Sequence, residues 1–160
     1  KNIKEGLLNF KGVQRRFNKI FTYNKIDFYD DYAHHPTEIK VVLEGVKRVY
    51  NDYEKVCIFQ PHRISRLKDL KKEFSFSFKD ADTVLLCPIF TAGEKIKLGF
   101  SYLNFAKEII KNSNVRLFLI SDCFQLAKFL KRNMNGKKIV IGMGAGSISS
   151  WMKKLPVLMA

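Results

Sequence analysis

The sequence is poor in cysteine and has no long hydrophobic run. Its 160 residues include three cysteines, Cys57, Cys87 and Cys123, whose odd number and wide spacing argue against a disulfide framework or a thiolate metal site. The flanking stretches KVCIF and VLLCP read as buried strands, which predicts inert thiols. No apolar run approaches the ~18 residues of a membrane span, and the N-terminus has no secretory-signal pattern. We therefore expect a cytoplasmic protein without a membrane segment.

Acidic residues are also scarce. The chain has 15 Asp and Glu against 29 Lys and Arg, which gives a formal net charge of +14. Such a balance is compatible with nucleic-acid binding. However, the lysines are spread along the whole chain, and residues with A/T-rich codons are plentiful, so a biased genome explains the charge more simply. We expect no nucleic-acid partner. A stand-alone basic α/β module that binds nucleic acid or acidic partners is the alternative interpretation.

Strand-like and helix-like patterns alternate along the chain. The nearly continuous apolar strands are typical of a sheet that is covered on both faces. This alternation predicts an α/β, Rossmann-like three-layer domain with a mostly parallel sheet and helices on both faces. Before it, two extended runs flank Tyr23-Asn24-Lys25, which predicts an antiparallel strand or hairpin near the N-terminus. The predicted parallel strands are IDFYD, KVCIFQ, TVLLCPIF, VRLFLI and KKIVIGM.

Apolar residues at helical spacing follow each predicted strand, which indicates one helix after each. The stripes are Ile39-Val42-Leu43-Val46-Tyr50, Ile64-Leu67-Leu70-Phe74, Leu103-Ala106-Ile109-Ile110 and Leu126-Ala127-Leu130, with a last helix over GSISSWMKKL.

The candidate chemistry lies at the strand-to-helix junctions, because ligands of open α/β sheets bind outside the carboxyl ends of the strands. Arg63 and Arg66 are three positions apart at a helix start, so both guanidinium groups can bind one carboxylate or phosphate. Two surface arginines, one of them paired with Asp69, are the alternative. The stretch GMGAGSI is best interpreted as a tight strand-to-helix turn, and a phosphate cradle is the second interpretation. No G-x-x-x-x-G-K-[ST] loop is present, so no Walker-type ATP site is expected here.

The stretch DDYAHHPTEI contains two of the three histidines. His34 and His35 are adjacent and point in different directions, whereas a zinc site needs three or four convergent ligands, so we predict no metal site. A helix-capping junction with one buried histidine, or a His–Asp pair for general base work, are the alternatives. No serine or cysteine has the context of a nucleophile. Pro36 is well placed as the first residue of a helix.

Together, GVQRRF, DDYAHHPTEI, FQPHRISR, AGE and GAGSI resemble, in order and spacing, the C-terminal domain of the alanine-adding Mur ligases, over essentially the whole chain. The resemblance implies a three-domain cytoplasmic ligase of peptidoglycan synthesis. Such enzymes use ATP and Mg to join L-alanine to UDP-N-acetylmuramate through an acyl phosphate. Residues 1–12 would be a linker or the tail of the preceding ATP-binding domain, and residues 13–160 the Mur ligase C-terminal domain.

The resemblance further implies that the N-terminal and central domains carry the UDP-sugar site, the P-loop and most magnesium ligands. No catalytic set is then complete on this chain, which we expect to be inactive alone. Arg63 and Arg66 would hold the alanine carboxylate. Tyr32, His34 and His62 would line the pocket for its methyl and amine groups.

For the nucleotide, the resemblance implies that Asp31 faces the ATP ribose and that Arg16 lies near ATP at the domain junction. His35 is expected to be structural and Glu94 to brace its loop. Family members often carry an acidic residue before the AGE turn, where this chain has Pro88-Ile89-Phe90, and another where it has Lys137-Lys138. Neither departure is expected to touch the alanine pocket.

Overall fold

The computed structural model describes residues 15–95 and 100–160, so the predicted linker 1–12 lies outside the described residues. The strands are β1 Asn18–Tyr23, β2 Ile26–Asp31, β3 Glu54–Phe59, β4 Thr83–Leu86, β5 Arg116–Leu119 and β6 Lys138–Met143. The helices are α1 Pro36–Val49, α2 Ile64–Asp69, α3 Lys71–Phe76, α4 Tyr102–Ser113, α5 Cys123–Asn133 and α6 Ile148–Met159. In the two described ranges, no helix is long and apolar enough to cross a membrane.

The strands form one sheet in the order β1-β2-β6-β3-β4-β5. The pairs β2–β6, β6–β3, β3–β4 and β4–β5 are parallel, and β1 is antiparallel to β2. The predicted N-terminal hairpin is confirmed. Its two turn residues, Asn24 and Lys25, have φ of 50° and 64°, which is the backbone of the two-residue turns whose twist matches that of the strands.

Helices cover both faces of the sheet, as predicted. Successive strand residues point to opposite faces, so Cys57 and Phe59 join one buried cluster while Val56 and Ile58 join the other. The first cluster includes apolar residues of α1 to α4, and the second includes those of α5 and α6. Because β3 and β6 are neighbours whose following helices lie on opposite faces, the topology predicts a ligand site near their carboxyl ends.

Two predicted helices differ from the observed ones. The stripe from Ile64 to Phe74 forms two short helices, because Leu70 between them leaves helical geometry at φ −116° and ψ 25°. The last helix does not end at Leu155 but continues to Met159 through Pro156. Proline costs a helix one hydrogen bond, yet Leu155 and Met159 are both buried, so core packing holds the extra turn.

Strand β4 is shorter than predicted, because it ends at Leu86 instead of reaching Phe90. Pro88 has no N–H to donate and so cannot continue a central ladder. The segment beyond it forms a single parallel bridge between Phe90 and His62. The predicted inert thiols are confirmed: Cys57 and Cys87 are buried, and burial raises the pKa of both.

Candidate active site

Three loops meet at the carboxyl edge of the sheet, after β2, β3 and β6. The ladder continues past the strand ends, since Gln60 N–H donates to the Met143 carbonyl at 3.0 Å and Gly144 N–H donates to the Asp31 carbonyl at 3.3 Å. The loop after β4 joins them through the Phe90 bridge. The strand-to-helix junctions singled out in the sequence therefore open onto one edge.

Four aromatic and imidazole rings form a continuous row along this edge, which we call the ring row: Tyr32, His34, His62 and Phe90. The Tyr32 and His34 centroids are 5.1 Å apart, and those of His34 and His62 are 5.7 Å apart, both edge-on. His62 and Phe90 stack with centroids 5.5 Å apart and planes 17° apart. Tyr32 remains 47% exposed, so that end of the row is open to solvent.

Arg66 lies against the middle of the ring row. Its Nη1 is 3.3 Å from both His62 Nδ1 and the His62 carbonyl oxygen. A guanidinium group only donates, so Nδ1 is the acceptor and the ring proton of neutral His62 sits on Nε2. Burial, followed by the charge of Arg66, His34 and Arg63, lowers the pKa of His62 below its ordinary value. His62 is therefore neutral at pH 7.

Arg63 is the N-cap residue of α2, with an exposed side chain and a strained backbone at φ 70° and ψ 132°. Its N–H donates to the Phe90 carbonyl at 2.9 Å, which holds it in that conformation. Left-handed backbone at a residue other than glycine is unfavourable and clusters at functional sites. Within the described residues, Asp69 forms no ion pair, which removes the alternative pairing of an arginine with that carboxylate.

The stretch around the two adjacent histidines is a helix cap, as one alternative held, but neither histidine is buried as that alternative expected: both are half-buried. His35 is the N-cap of α1, its Nδ1 accepts from Thr37 N–H at 3.4 Å, and α1 begins at Pro36. Glu38 Oε2 accepts from the backbone of His34 and His35 at 2.9 and 3.0 Å. Burial raises the pKa of Glu38, but these hydrogen bonds outweigh it and lower the pKa. The structural role predicted for His35 is confirmed.

A sequence comparison decides the family. The family model described as "Mur ligase, glutamate ligase domain" matches residues 15–146. The chain belongs to the Mur ligase family.

Individual relatives agree with this placement. The chain is 71% identical over 156 residues to UDP-N-acetylmuramate–L-alanine ligase of Pelagibacter ubique, a match that covers 98% of this chain and 34% of that protein. It is 39% identical to the enzyme of the same name from Rickettsia felis, over 97% of this chain and 33% of that one. This Mur ligase domain thus spans about a third of the length of the curated relatives it matches.

Solved structures show the same architecture. UDP-N-acetylmuramate-alanine ligase from Thermotoga maritima superposes with a TM-score of 0.72 at 26% identity, over 96% of this chain and 31% of that one. A murein peptide ligase from Psychrobacter arcticus superposes with a TM-score of 0.74 at 21% identity, over 97% of this chain and 32% of that one, which shows the fold alone. The predicted fold class and family resemblance of the Mur ligase domain are confirmed.

The two residues predicted to contact nucleotide lie together in the Mur ligase domain. Arg16 and Asp31 line one open groove of about 490 Å³ with Tyr32. Both oxygens of Asp31 already accept backbone hydrogen bonds, from Phe17 and Ala33, at 2.8 Å each. A carboxylate has about four lone-pair sites, so Asp31 retains the capacity to accept from a ligand.

Sequence reasoning missed a buried cluster behind Tyr32. Arg15 places its guanidinium carbon 4.8 Å from the Tyr32 ring centroid and donates through Nη2 to the Gly144 carbonyl. Its Nε is 3.5 Å from Asp30 Oδ2, which also accepts from Ser149 Oγ at 2.5 Å. The sequence did contain one signal for this cluster: successive side chains of a strand point to opposite faces, so Asp30 and Asp31 of β2 lie on different faces of the sheet.

Gln60 is a second residue that sequence reasoning missed. It is buried, its Nε2 donates to Ser147 Oγ at 3.0 Å, and its Oε1 accepts from Ile148 N–H at 2.9 Å. The turn packs tightly around it: a Cβ on Gly144, where φ is +148°, would lie 2.7 Å from the Gln60 carbonyl. The prediction of a tight strand-to-helix turn is confirmed, and the phosphate cradle stays a prediction.

The loop after β4 also reaches the site. Glu94 accepts from Ser65 Oγ at 2.6 Å and from Ser65 N–H at 3.1 Å, so it braces this loop against α2, as expected. By contrast, the expectation that Pro88-Ile89-Phe90 stays clear of the residues predicted to line an alanine pocket is wrong, since Phe90 contacts His62. Pro88 ends the strand, and the chain then turns the Phe90 ring onto His62. Across the described part of the chain, no three His, Cys, Asp or Glu side chains gather as potential metal ligands.

Proposed function

We propose that this chain is the amino-acid-binding and closing domain of the ATP-dependent ligase that joins L-alanine to UDP-N-acetylmuramate in peptidoglycan biosynthesis. The observation that carries the proposal is the placement of Arg63 and Arg66 at the start of α2 beside the ring row. Guanidinium groups bind a carboxylate with directed, charge-assisted hydrogen bonds. The identity of 71% to the Pelagibacter ubique alanine ligase supports L-alanine as the amino acid.

In this proposal, the residues of the chain bind and orient the amino acid. Arg63 and Arg66 bind its carboxylate, while Tyr32, His34 and His62 enclose its methyl and amine groups. Neutral His62 adds no further positive charge beside the amine. Fixing the amine in one orientation converts a collision between two molecules into a reaction within one complex, which supplies much of the rate.

Arg16 and Asp31 would contact ATP from the groove they share. When bound, ATP supplies the phosphoryl group that activates the substrate carboxylate as an acyl phosphate. Magnesium would be held mainly by the central domain of the longer enzyme. The N-terminal and central domains, UDP-N-acetylmuramate, L-alanine and ATP are the proposed partners, and the cytoplasm is the proposed compartment.

A chimeric ligase tests the proposal. This chain would replace the matching 156 residues of the Pelagibacter ubique enzyme, and ADP release would be followed with UDP-N-acetylmuramate, ATP and L-alanine. We expect alanine-dependent turnover by the chimera and none by the 160-residue chain alone. A well-folded chimera without alanine-dependent turnover would refute the proposal.

Arginine variants test the site within the chimera. We expect Arg63→Ala and Arg66→Ala to raise the KM for L-alanine by about 10- to 100-fold, because each removes a charge-assisted hydrogen bond of about 1.5–3 kcal/mol. Arg132→Ala, an exposed arginine in the last turn of α5 at the opposite edge, is the matched control. The basic-module alternative predicts equal effects of all three variants and steeply salt-dependent binding to DNA.

A further inference from the structure

Phe90 is the one member of the ring row without a role in the proposed site. Its backbone brackets His62 on both sides, because Phe90 N–H donates to the Pro61 carbonyl at 2.8 Å and its carbonyl accepts from Arg63 N–H at 2.9 Å. The side chains of His62 and Phe90 therefore project next to each other from two hydrogen-bonded backbone segments. Their rings stack with planes only 17° apart.

The glycine turn after β6 holds Phe90 from another side. A Cβ on Gly146 would lie 2.4 Å from Phe90 Cγ and 2.6 Å from Phe90 Cβ, so the ring occupies the space that any other residue would need. Phe90 is nonetheless 38% exposed, which is high for a phenylalanine held so closely. Core packing alone therefore does not account for its position.

The contacts of His62 show what this arrangement controls. His62 Nδ1 accepts from Arg66, which is one of the two predicted carboxylate ligands. A ring fixed on one face by Phe90 presents that nitrogen in a single direction, and so fixes the Arg66 guanidinium as well. Without the stack, only the edge contact with His34 and the hydrogen bond from Arg66 would restrain rotation of the His62 side chain.

We propose that Phe90 is a positioning residue of the amino-acid site, which holds the His62 imidazole, and through it Arg66, in the orientation that binds the amino acid. This inference rests on the proposed function for the identity of the amino acid. The contact between Phe90, His62 and Gly146 stands independently of it.

Kinetics of the chimera provide the first test. We expect Phe90→Ala to raise the KM for L-alanine by about tenfold and to change kcat by less than about threefold, since it loosens the Arg66 guanidinium and so weakens a carboxylate contact that is made equally before and during the reaction. Phe90→Tyr keeps the ring and should restore the KM, because Gly146 faces the Cβ and Cγ end, away from the added hydroxyl. Phe76→Ala is the matched control: Phe76 is 39% exposed and its ring contacts Lys79 instead of the site.

Titration of His62 by NMR in the 160-residue chain provides a second test that needs no activity. Burial is the largest cause that lowers the pKa of His62, ahead of Arg66, His34 and Arg63, while Glu94 raises it. We expect Phe90→Ala to raise the pKa of His62 toward its ordinary value and Phe76→Ala to leave it unchanged. Thermal unfolding of each variant confirms that the chain is folded.

The inference is overturned if Phe90→Ala and Phe76→Ala give the same KM for L-alanine, or if the pKa of His62 is the same in both. If Phe90→Ala does not fold, Phe90→Leu keeps apolar volume without the ring and takes its place in both assays. A chimera that is inactive with L-alanine refutes the proposed function. In that case, the titration still decides whether Phe90 positions His62.

Discussion

Gln60 is the residue on which the turn beside the site most depends. It is 3% exposed, and its side-chain amide caps α6 by accepting from Ile148 N–H while it donates to Ser147 Oγ. Ile148 is itself fully buried, so no water replaces a lost partner. We expect Gln60→Met, which keeps the length and volume of the side chain but loses both hydrogen bonds, to destabilise the domain strongly.

The magnitude follows from the two bonds. Leaving a buried N–H unpaired costs about 1–3 kcal/mol, and the bond to the half-buried Ser147 adds about 1 kcal/mol. The expected loss in the free energy of unfolding is therefore about 2–4 kcal/mol. For a domain of this size, each kcal/mol lost lowers Tm by about 2–4 °C. Urea unfolding monitored by circular dichroism measures the free energy directly, and an unchanged m-value shows that the unfolded state is the same.

The matched control is Gln125→Met. Gln125 is also a glutamine whose Oε1 accepts a backbone N–H at a helix start, from Ser121, but it is exposed. Water replaces that acceptor, so we expect a loss below about 1 kcal/mol. If Gln60→Met is no more destabilising than Gln125→Met, the cap on α6 does not carry the turn, and the reasoning from burial fails.

Two further predictions concern stability away from the site. Gly45→Ala should stabilise the domain by about 0.5–1 kcal/mol in urea unfolding, because Gly45 is exposed inside α1 and an added Cβ meets nothing within 4 Å; equal or lower stability would contradict this. Burial raises the pKa of Glu54, but its bonds to Lys138, Thr83 and Arg116 lower it on balance. A carboxyl whose pKa is depressed in the folded state contributes its full stabilisation above its unfolded pKa of about 4.5 and loses it as the pH falls through the lower folded-state pKa. Glu54→Gln should therefore be less stable than wild type at pH 7, and the difference should shrink as the pH is lowered from about 4.5 through the folded-state pKa.

Local sequence pattern was enough to predict the type and order of the elements. Each parallel strand is an apolar run followed by residues at helical spacing, so both periodicities point to the same α/β arrangement. The break at Leu70 was not visible, because its apolar side chain continues the helical stripe and only its backbone leaves the helix. The extension past Pro156 was hidden for the opposite reason: the local rule against proline is outweighed by burial of Met159.

Strand order was beyond local pattern. The last strand, β6, inserts between β2 and β3, so two strands that are adjacent along the chain are separated in the sheet. This insertion places the glycine turn between the loops that carry Tyr32 and His62. The sequence indicated that the junctions share one edge, but it contained no signal for which loops would touch.

The candidate site was predictable where a role follows from residue type and spacing. Arg63 and Arg66 at one helix start suggest an anion site to any reader of the sequence. Arg15 and Gln60 carry no such signal, because Arg15 donates to Gly144, 129 positions away, and the partners of Gln60 lie 87 and 88 positions away, so these contacts become visible only in the folded chain.

The two departures from the family pattern, Lys137-Lys138 and Pro88-Ile89-Phe90, lie at opposite edges of the sheet. Lys137 pairs with Asp52 at 2.8 Å and Lys138 pairs with Glu54, at the amino edge of the sheet and away from the ring row. Both lysines are therefore engaged in ion pairs with carboxylates of their own edge. Pro88-Ile89-Phe90 instead lies at the carboxyl edge, where Phe90 meets both His62 and Gly146. A substitution at Phe90 must therefore be accommodated by two other loops at once. In the proposed function, amino-acid recognition would then depend on the β4 and β6 loops as well as on the residues that would touch the amino acid.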